Sequence, residues 1–251
     1  MFSRIFGSKK AEEKKSDFVI ESSDEDENDK YQPNSAFMEN LKLNMSKMIA
    51  YAQSADVVLQ REVAEMLANE AVSADRQAQI VEYGGLSLLV PLTKSIDMDV
   101  KRLSAHALAN LSVNSKNQIL MAEEGAIEML LDLLDSTNEV IQRQAAKAIA
   151  NLSVNQDNKL KVGKLGGIPC LVKLAGSTTL QVKIEAIAAI GNLAVNDFNE
   201  IEIVKQNGLE HLSSSALLAA DYLKSISRNG GGHRRDRETQ HWEELAAQCS
   251  R

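Results

Sequence analysis

Aromatic residues are scarce: four tyrosines, five phenylalanines and one tryptophan in 251 residues. Sheets draw on aromatic and β-branched side chains, so the shortage argues against an all-β fold. Prolines number three, and Ala and Leu dominate the interior-type positions. That composition is helical. Two cysteines make no disulfide framework in a chain of this length. Cys170 falls on an apolar face and Cys249 near the C-terminus, so a reducing compartment is expected, cytoplasmic and also compatible with the nucleus. No apolar run approaches the ~20 residues that span a bilayer. The first residues hold no continuous apolar stretch of the secretory kind. A net charge of −7 argues against a general nucleic-acid binder.

Catalytic motifs are missing too. There is no phosphate loop, no zincin helix and no nucleophile elbow. His233, His241 and Cys249 match no standard metal spacing. Asp24, Asp26 and Asn28 open like a calcium loop, but Asp29 stands where glycine is required and Ser35 where the closing glutamate belongs. No catalytic residue, metal or cofactor is expected. Asn110-Leu-Ser112 and Asn151-Leu-Ser153 match the glycosylation pattern, yet they fall in expected helices and follow from the repeat described next.

What the chain has is repetition. Ala109–Asn114 reads Ala-Asn-Leu-Ser-Val-Asn, and Ala150–Asn155 reads the same. Gly191–Asn196 is a close variant and Ala68–Ser73 a degenerate one. The asparagines Asn69, Asn110, Asn151 and Asn192 are spaced by 41 residues. The same step links Leu67, Leu108, Ile149 and Ile190, then Leu89, Leu130 and Leu171, then Val72, Val113, Val154 and Val195. A glycine corner recurs at Gly84, Gly125 and Gly166, with Asn207 in the fourth place. A fixed period in this range marks a stacked solenoid, and an apolar share of 44% can fill its core.

These residues resemble the armadillo repeat over roughly residues 35–228. The resemblance implies an all-α, right-handed superhelical solenoid of about four repeats. Each repeat has a short first helix, a glycine corner, a second helix and a long third helix ending in the Asn phrase. The expected divisions are a disordered acidic tail at 1–34, an incomplete capping repeat at 35–74, and full repeats at 75–115, 116–156 and 157–197. A truncated repeat at 198–228 and a flexible tail at 229–251 follow. Pro169 suits a first helical turn, whereas Pro91, inside a second helix, should kink or shorten it. In the N-terminal tail, Phe2, Ile5 and Phe6 precede four lysines. Membrane contact through residues 1–15 is conceivable, but a solvated start is the expectation, and Phe2 excludes myristoylation.

Asparagine is a mediocre helix residue, so four copies at one helical position call for a reason. Either each amide ties neighbouring third helices together, or the amides face an open groove and grip the backbone of an extended chain. An amide both donates and accepts, so it can hold a peptide group without reading sequence. The resemblance implies the second role. One turn before the asparagines stand Glu65, His106, Lys147 and Ala188; two turns before stand Arg61, Arg102, Arg143 and Ile184. Arg61, Arg102, Arg143, His106 and Lys147 thus form a basic stripe suited to a mildly acidic segment. The expected function is a non-enzymatic protein-binding scaffold or adaptor, similar to the vacuolar armadillo protein and β-catenin. The importin-α branch carries a tryptophan array beside the asparagines; here the sole tryptophan is Trp242. A nuclear-transport adaptor, or the repeat module of a ubiquitin ligase or motor, is the alternative.

Overall fold

The computed structural model describes residue 43 and residues 45–208. The expectations for the N-terminal tail, the end of the fourth repeat, and His233, His241 and Cys249 lie outside the described residues. No strand occurs among the described residues.

Among the described residues twelve helices follow one another in a strict rota. Helix α1 covers residues 45–52 and α2 Val57–Glu70. Three triplets come next: α3 Ala74–Glu82, α4 Gly85–Thr93 and α5 Met98–Leu111; α6 Ser115–Glu123, α7 Ala126–Leu134 and α8 Glu139–Leu152; α9 Gln156–Lys164, α10 Gly167–Ala175 and α11 Leu180–Leu193. Helix α12, Asp197–Lys205, begins a fourth. Helix α1 stands where α4, α7 and α10 stand later, so the described part of the array opens on a second helix.

The helix ends repeat as faithfully as the helices. The second helices α4, α7 and α10 are each preceded by a residue in the left-handed region: Gly84 at φ 82°, Gly125 at 81° and Gly166 at 78°. Glycine reaches this conformation without steric cost. The fourth corner uses Asn207 at φ 56°, and asparagine is among the few other residues that tolerate it. The third helices α2, α5 and α8 are capped by Asp56, Asp97 and Asn138, whose side chains accept from backbone N–H groups in the first turn, while Thr179 precedes α11 without a side-chain cap bond. Two residues earlier, Ser54, Ser95, Ser136 and Ser177 each accept the N–H of the capping residue. The last asparagine of the repeated phrase has the same task for the next first helix: Asn114, Asn155 and Asn196 each accept from its first turn. Part of the phrase is therefore cap chemistry. The Asp97 carboxyl lies below its ordinary range, chiefly because Val100 N–H bonds it, with Arg61 assisting. A depressed carboxyl stabilises the fold above its unfolded value and loses that contribution as pH falls through the folded one.

Leu67, Leu108, Ile149 and Ile190 are fully buried, as are Leu130, Leu171, Val100, Ile141 and Val182. Third helices stack side by side, α2 on α5, α5 on α8 and α8 on α11. Small buried residues line them, among them Ala64, Ala105, Ala146, Ala107, Ala148 and Ala189. Each repeat buries its apolar residues against its own helices and its neighbours, which makes the molecule quasi-one-dimensional. Among the described residues no helix is long and apolar enough to cross a membrane.

One expectation is corrected. Pro91 does not shorten α4, which has nine residues like α7 and α10. The proline sits near the C-terminal end, where its missing N–H removes one intrahelical bond and few residues follow it. Pro169 lies in the first turn of α10, as its chemistry allows.

No group of His, Cys, Asp and Glu side chains suited to a metal occurs among the described residues. Apolar stacking and the chain's own hydrogen bonds hold the described residues together, so EDTA should leave the far-UV circular dichroism melting curve unchanged. A marked loss of helix in chelator would revive the C-terminal His and Cys residues as ligands.

Candidate functional site

The four asparagines of the repeated phrase fall at one position, in the last turn of α2, α5, α8 and α11. Because those helices stack, the amides form a ladder along one continuous face. The rungs differ. Asn69 is exposed, while Asn110, Asn151 and Asn192 are half-buried. Asn151 donates through Nδ2 to Ser112 Oγ at 3.0 Å, and Asn192 donates to the Ala150 carbonyl at 2.8 Å. These two amides do tie each third helix to the one before. The buried Nδ2 of Asn110 has no hydrogen-bond partner.

The basic residues follow the same helices, and much of their charge is answered nearby. Arg61 binds Asp97 at 2.9 Å and lies 3.9 Å from Asp99. Arg102 reaches Asp99 at 3.4 Å, and Arg143 approaches Glu185 at 3.9 Å. His106 and Lys147 are half-buried on the adjoining helices α5 and α8. The His106 imidazole is held below its ordinary pKa by desolvation first, then by Lys147, Arg102 and Arg143. The cations are thus near enough to act on one imidazole. Cys170 offers no nucleophile: partial burial and then Asp135 push its thiol up, away from the thiolate.

A second asparagine ladder went unread in the sequence. Asn117, Asn158 and Asn199, in α6, α9 and α12, also step by 41 residues, and they are 1%, 4% and 0% exposed. Each Nδ2 makes the same two bonds. Asn158 donates to the Gln118 carbonyl of the preceding first helix at 2.9 Å and to the Leu152 carbonyl at the end of α8 at 3.2 Å. Asn117 does so to Gln77 and Leu111, and Asn199 to Lys159 and Leu193. This ladder staples one repeat to the next inside the protein. The signal that would have found it is the 41-residue step itself, applied to polar residues of the first helices.

Comparison with known proteins agrees with this geometry. The family description Armadillo/beta-catenin-like repeat matches residues 114–154 and 155–195. No curated protein sequence matches the chain. Among solved structures, a crystal structure of an engineered protein superposes with a TM-score of 0.66 at 29% identity, over 82% of this chain and 96% of that one. A designed armadillo repeat protein gives 0.66 at 22% identity, over 82% and 99%. A designed armadillo repeat protein in complex with the peptide (KR)4 gives 0.61 at 25% identity, over 83% and 86%. By its repeat sequence, its helix rota and its superposition, this chain folds as an armadillo-repeat solenoid, and its residues 114–195 match the armadillo repeat.

Proposed function

We propose that the ladder face of the third helices is a concave groove in which an extended segment of a partner protein lies. The chain then acts as a non-enzymatic scaffold or adaptor. The observation that carries this reading is the register: Asn69, Asn110, Asn151 and Asn192 share one position on stacked helices, outside the main core. Packed helices are ~8–10 Å apart and an extended chain advances ~3.3 Å per residue. Each repeat therefore addresses about three peptide residues. Asn151 and Asn192 spend a donor on the neighbouring helix and keep an acceptor for a partner N–H.

The cationic residues Arg61, Arg102, Arg143, His106 and Lys147 favour a mildly acidic segment over a basic one, and over nucleic acid only through the net charge of −7. The designed armadillo protein solved with (KR)4 supports peptide binding by this architecture. A basic peptide of that kind is the expected negative control here. The likeness to the vacuolar and β-catenin scaffolds belongs to this reading, as does a cytoplasmic location. The absence of tryptophan beside the ladder disfavours the nuclear-transport alternative.

The direct test is affinity capture with the array against its Asn110→Ala/Asn151→Ala form. Each lost hydrogen bond is worth about 0.5–1.5 kcal/mol, so the double variant should hold the partner roughly tenfold or more weakly. Asn110→Ala removes no internal bond and should leave the melting temperature alone; Asn151→Ala removes the tie to Ser112. Ser112→Ala is the control, since it loosens the tie and keeps the amide. If Ser112→Ala weakens the partner as much as the double variant, the ladder serves the fold and the groove reading fails.

A further inference from the structure

The fourth corner differs from the other three in its chemistry. Gly84, Gly125 and Gly166 hold the left-handed position in the earlier repeats, and Asn207 holds it at φ 56°. The residue after the corner is constrained as well. A Cβ at Gly85 would strike Ile80; one at Gly167 would stand 2.8 Å from Val162 Cγ1, and one at Gly208 2.8 Å from Ile203 Cγ2. Each of these neighbours lies five residues back and is β-branched, so its methyl group cannot swing aside. The remaining repeat has the unbranched Met121 at that place, and there the chain accepts Ala126. Val172 of α10 presses on Gly208 too, 3.2 Å from the same Cβ position. The left-handed turn admits glycine or, among few others, asparagine, and Ile203 demands glycine next. Two steric rules of the fold thus write the pair Asn207-Gly208.

We propose that this pair is a site of self-modification, converting to aspartate and isoaspartate through a cyclic imide. Asn207 is exposed, and its side-chain amide makes no hydrogen bond among the described residues. The Gly208 N–H donates no bond among them either, as befits a residue at which helix resumes after a turn. With no side chain on Gly208, nothing shields that nitrogen. It gives its proton to solvent base and attacks Asn207 Cγ. The new N–C bond closes a succinimide ring, and the side-chain nitrogen takes up a proton and leaves as ammonia. Water then opens the ring. Breaking the bond from nitrogen to Cγ yields aspartate. Breaking the bond from nitrogen to the main-chain carbonyl carbon yields isoaspartate, with the main chain now routed through Cγ. Isoaspartate lengthens the main chain by one carbon at a turn whose geometry the fold fixes, and displaces Gly208 from Ile203 and Val172. The glycine corners at Gly84, Gly125 and Gly166 have no amide to lose, so the change is confined to the fourth repeat. The pair acts as a clock on that repeat, independently of the groove.

The test ages the full chain at physiological temperature in mildly alkaline buffer. Tryptic mass mapping follows each asparagine, and an isoaspartyl methyltransferase labels the isoaspartate. A second pair of the same sequence, Asn229-Gly230, lies outside the described residues and in a different tryptic peptide. It is the reference. Asn207 should convert at a rate comparable to that of Asn229, and well ahead of the exposed Asn69, which Glu70 follows. For the melting measurement Asn229→Gly is the background, so that ageing reports on Asn207. Ageing should then lower the melting temperature, and adding Asn207→Gly, the residue of the earlier corners, should abolish that loss. Conversion of Asn229 while Asn207 keeps its amide means that the fold shields the corner, and overturns the proposal. So does conversion of Asn207 only in urea, or conversion with no loss of melting temperature.

Discussion

Asn158→Ala should lower the stability of the array by about 2–4 kcal/mol, with a fall of roughly 5–15 °C in melting temperature. The side chain is 4% exposed and spends both amide protons on carbonyls of the preceding repeat, Gln118 in its first helix and Leu152 at the end of α8. Truncation leaves two acceptors short of a donor and a small void between repeats. Water cannot enter readily, so the desolvation already suffered by those carbonyls is less fully offset, the Leu152 carbonyl keeping only the Asn155 N–H. Asn158→Asp separates the two causes, because it keeps the shape and replaces the donors with acceptors facing two carbonyls. It should be at least as damaging as Ala. Since the lost bonds join neighbouring repeats, coupling should fall as well as stability, and the urea transition should broaden. Asn110→Ala, which removes no internal bond, is the reference. If Asn158→Ala and Asn110→Ala melt alike, the buried ladder is not the staple described here.

That contrast shows what the sequence could and could not give. The period, the glycine corners and the three-helix rota were legible because each copy repeats the same punctuation: Gly84, Gly125 and Gly166 all take positive φ. The apolar ranks were legible as ranks. What periodicity does not encode is which way a residue faces. Asn110 and Asn117 are seven residues apart and both recur by the same step, yet one belongs to the ladder face and the other is sealed between repeats. The repeated phrase drew attention to the first because its neighbours also repeat. The second stands among varied residues in first helices whose exposed faces are free to drift. The basic stripe was visible as a pattern of residue types, but its neutralisation was not. The partner of Arg61 is Asp97, one repeat ahead, and the partner of Arg143 is Glu185, again one repeat ahead. Such pairs cross a boundary that a single-helix reading does not see. Pro91 leaves α4 its full nine residues for a local reason, its place near the end of the helix.

Leu130→Ala should be costlier still, at about 2–5 kcal/mol, whereas Val113→Ala should change stability by about 0.5 kcal/mol or less. Both residues recur every 41 positions and are equally conspicuous in the sequence. They differ in where the repeat puts them. Leu130 lies on α7 and is fully buried; Val113 sits in the junction after α5 and is 46% exposed. Removing the methine and two methyl carbons of Leu130 leaves a cavity that helices packed on both sides can close only in part. The companion changes Leu89→Ala and Leu171→Ala remove the same atoms from the repeats on either side, so the three together measure how evenly the array shares its stability. In a quasi-one-dimensional stack the central variant loses support in both directions and should have the lowest midpoint of the three. Urea unfolding followed by circular dichroism at 222 nm reads all four variants. A Val113→Ala loss as large as that of Leu130→Ala would mean that the exposed valine rank is covered in solution, and that the burial described here is incomplete along that edge.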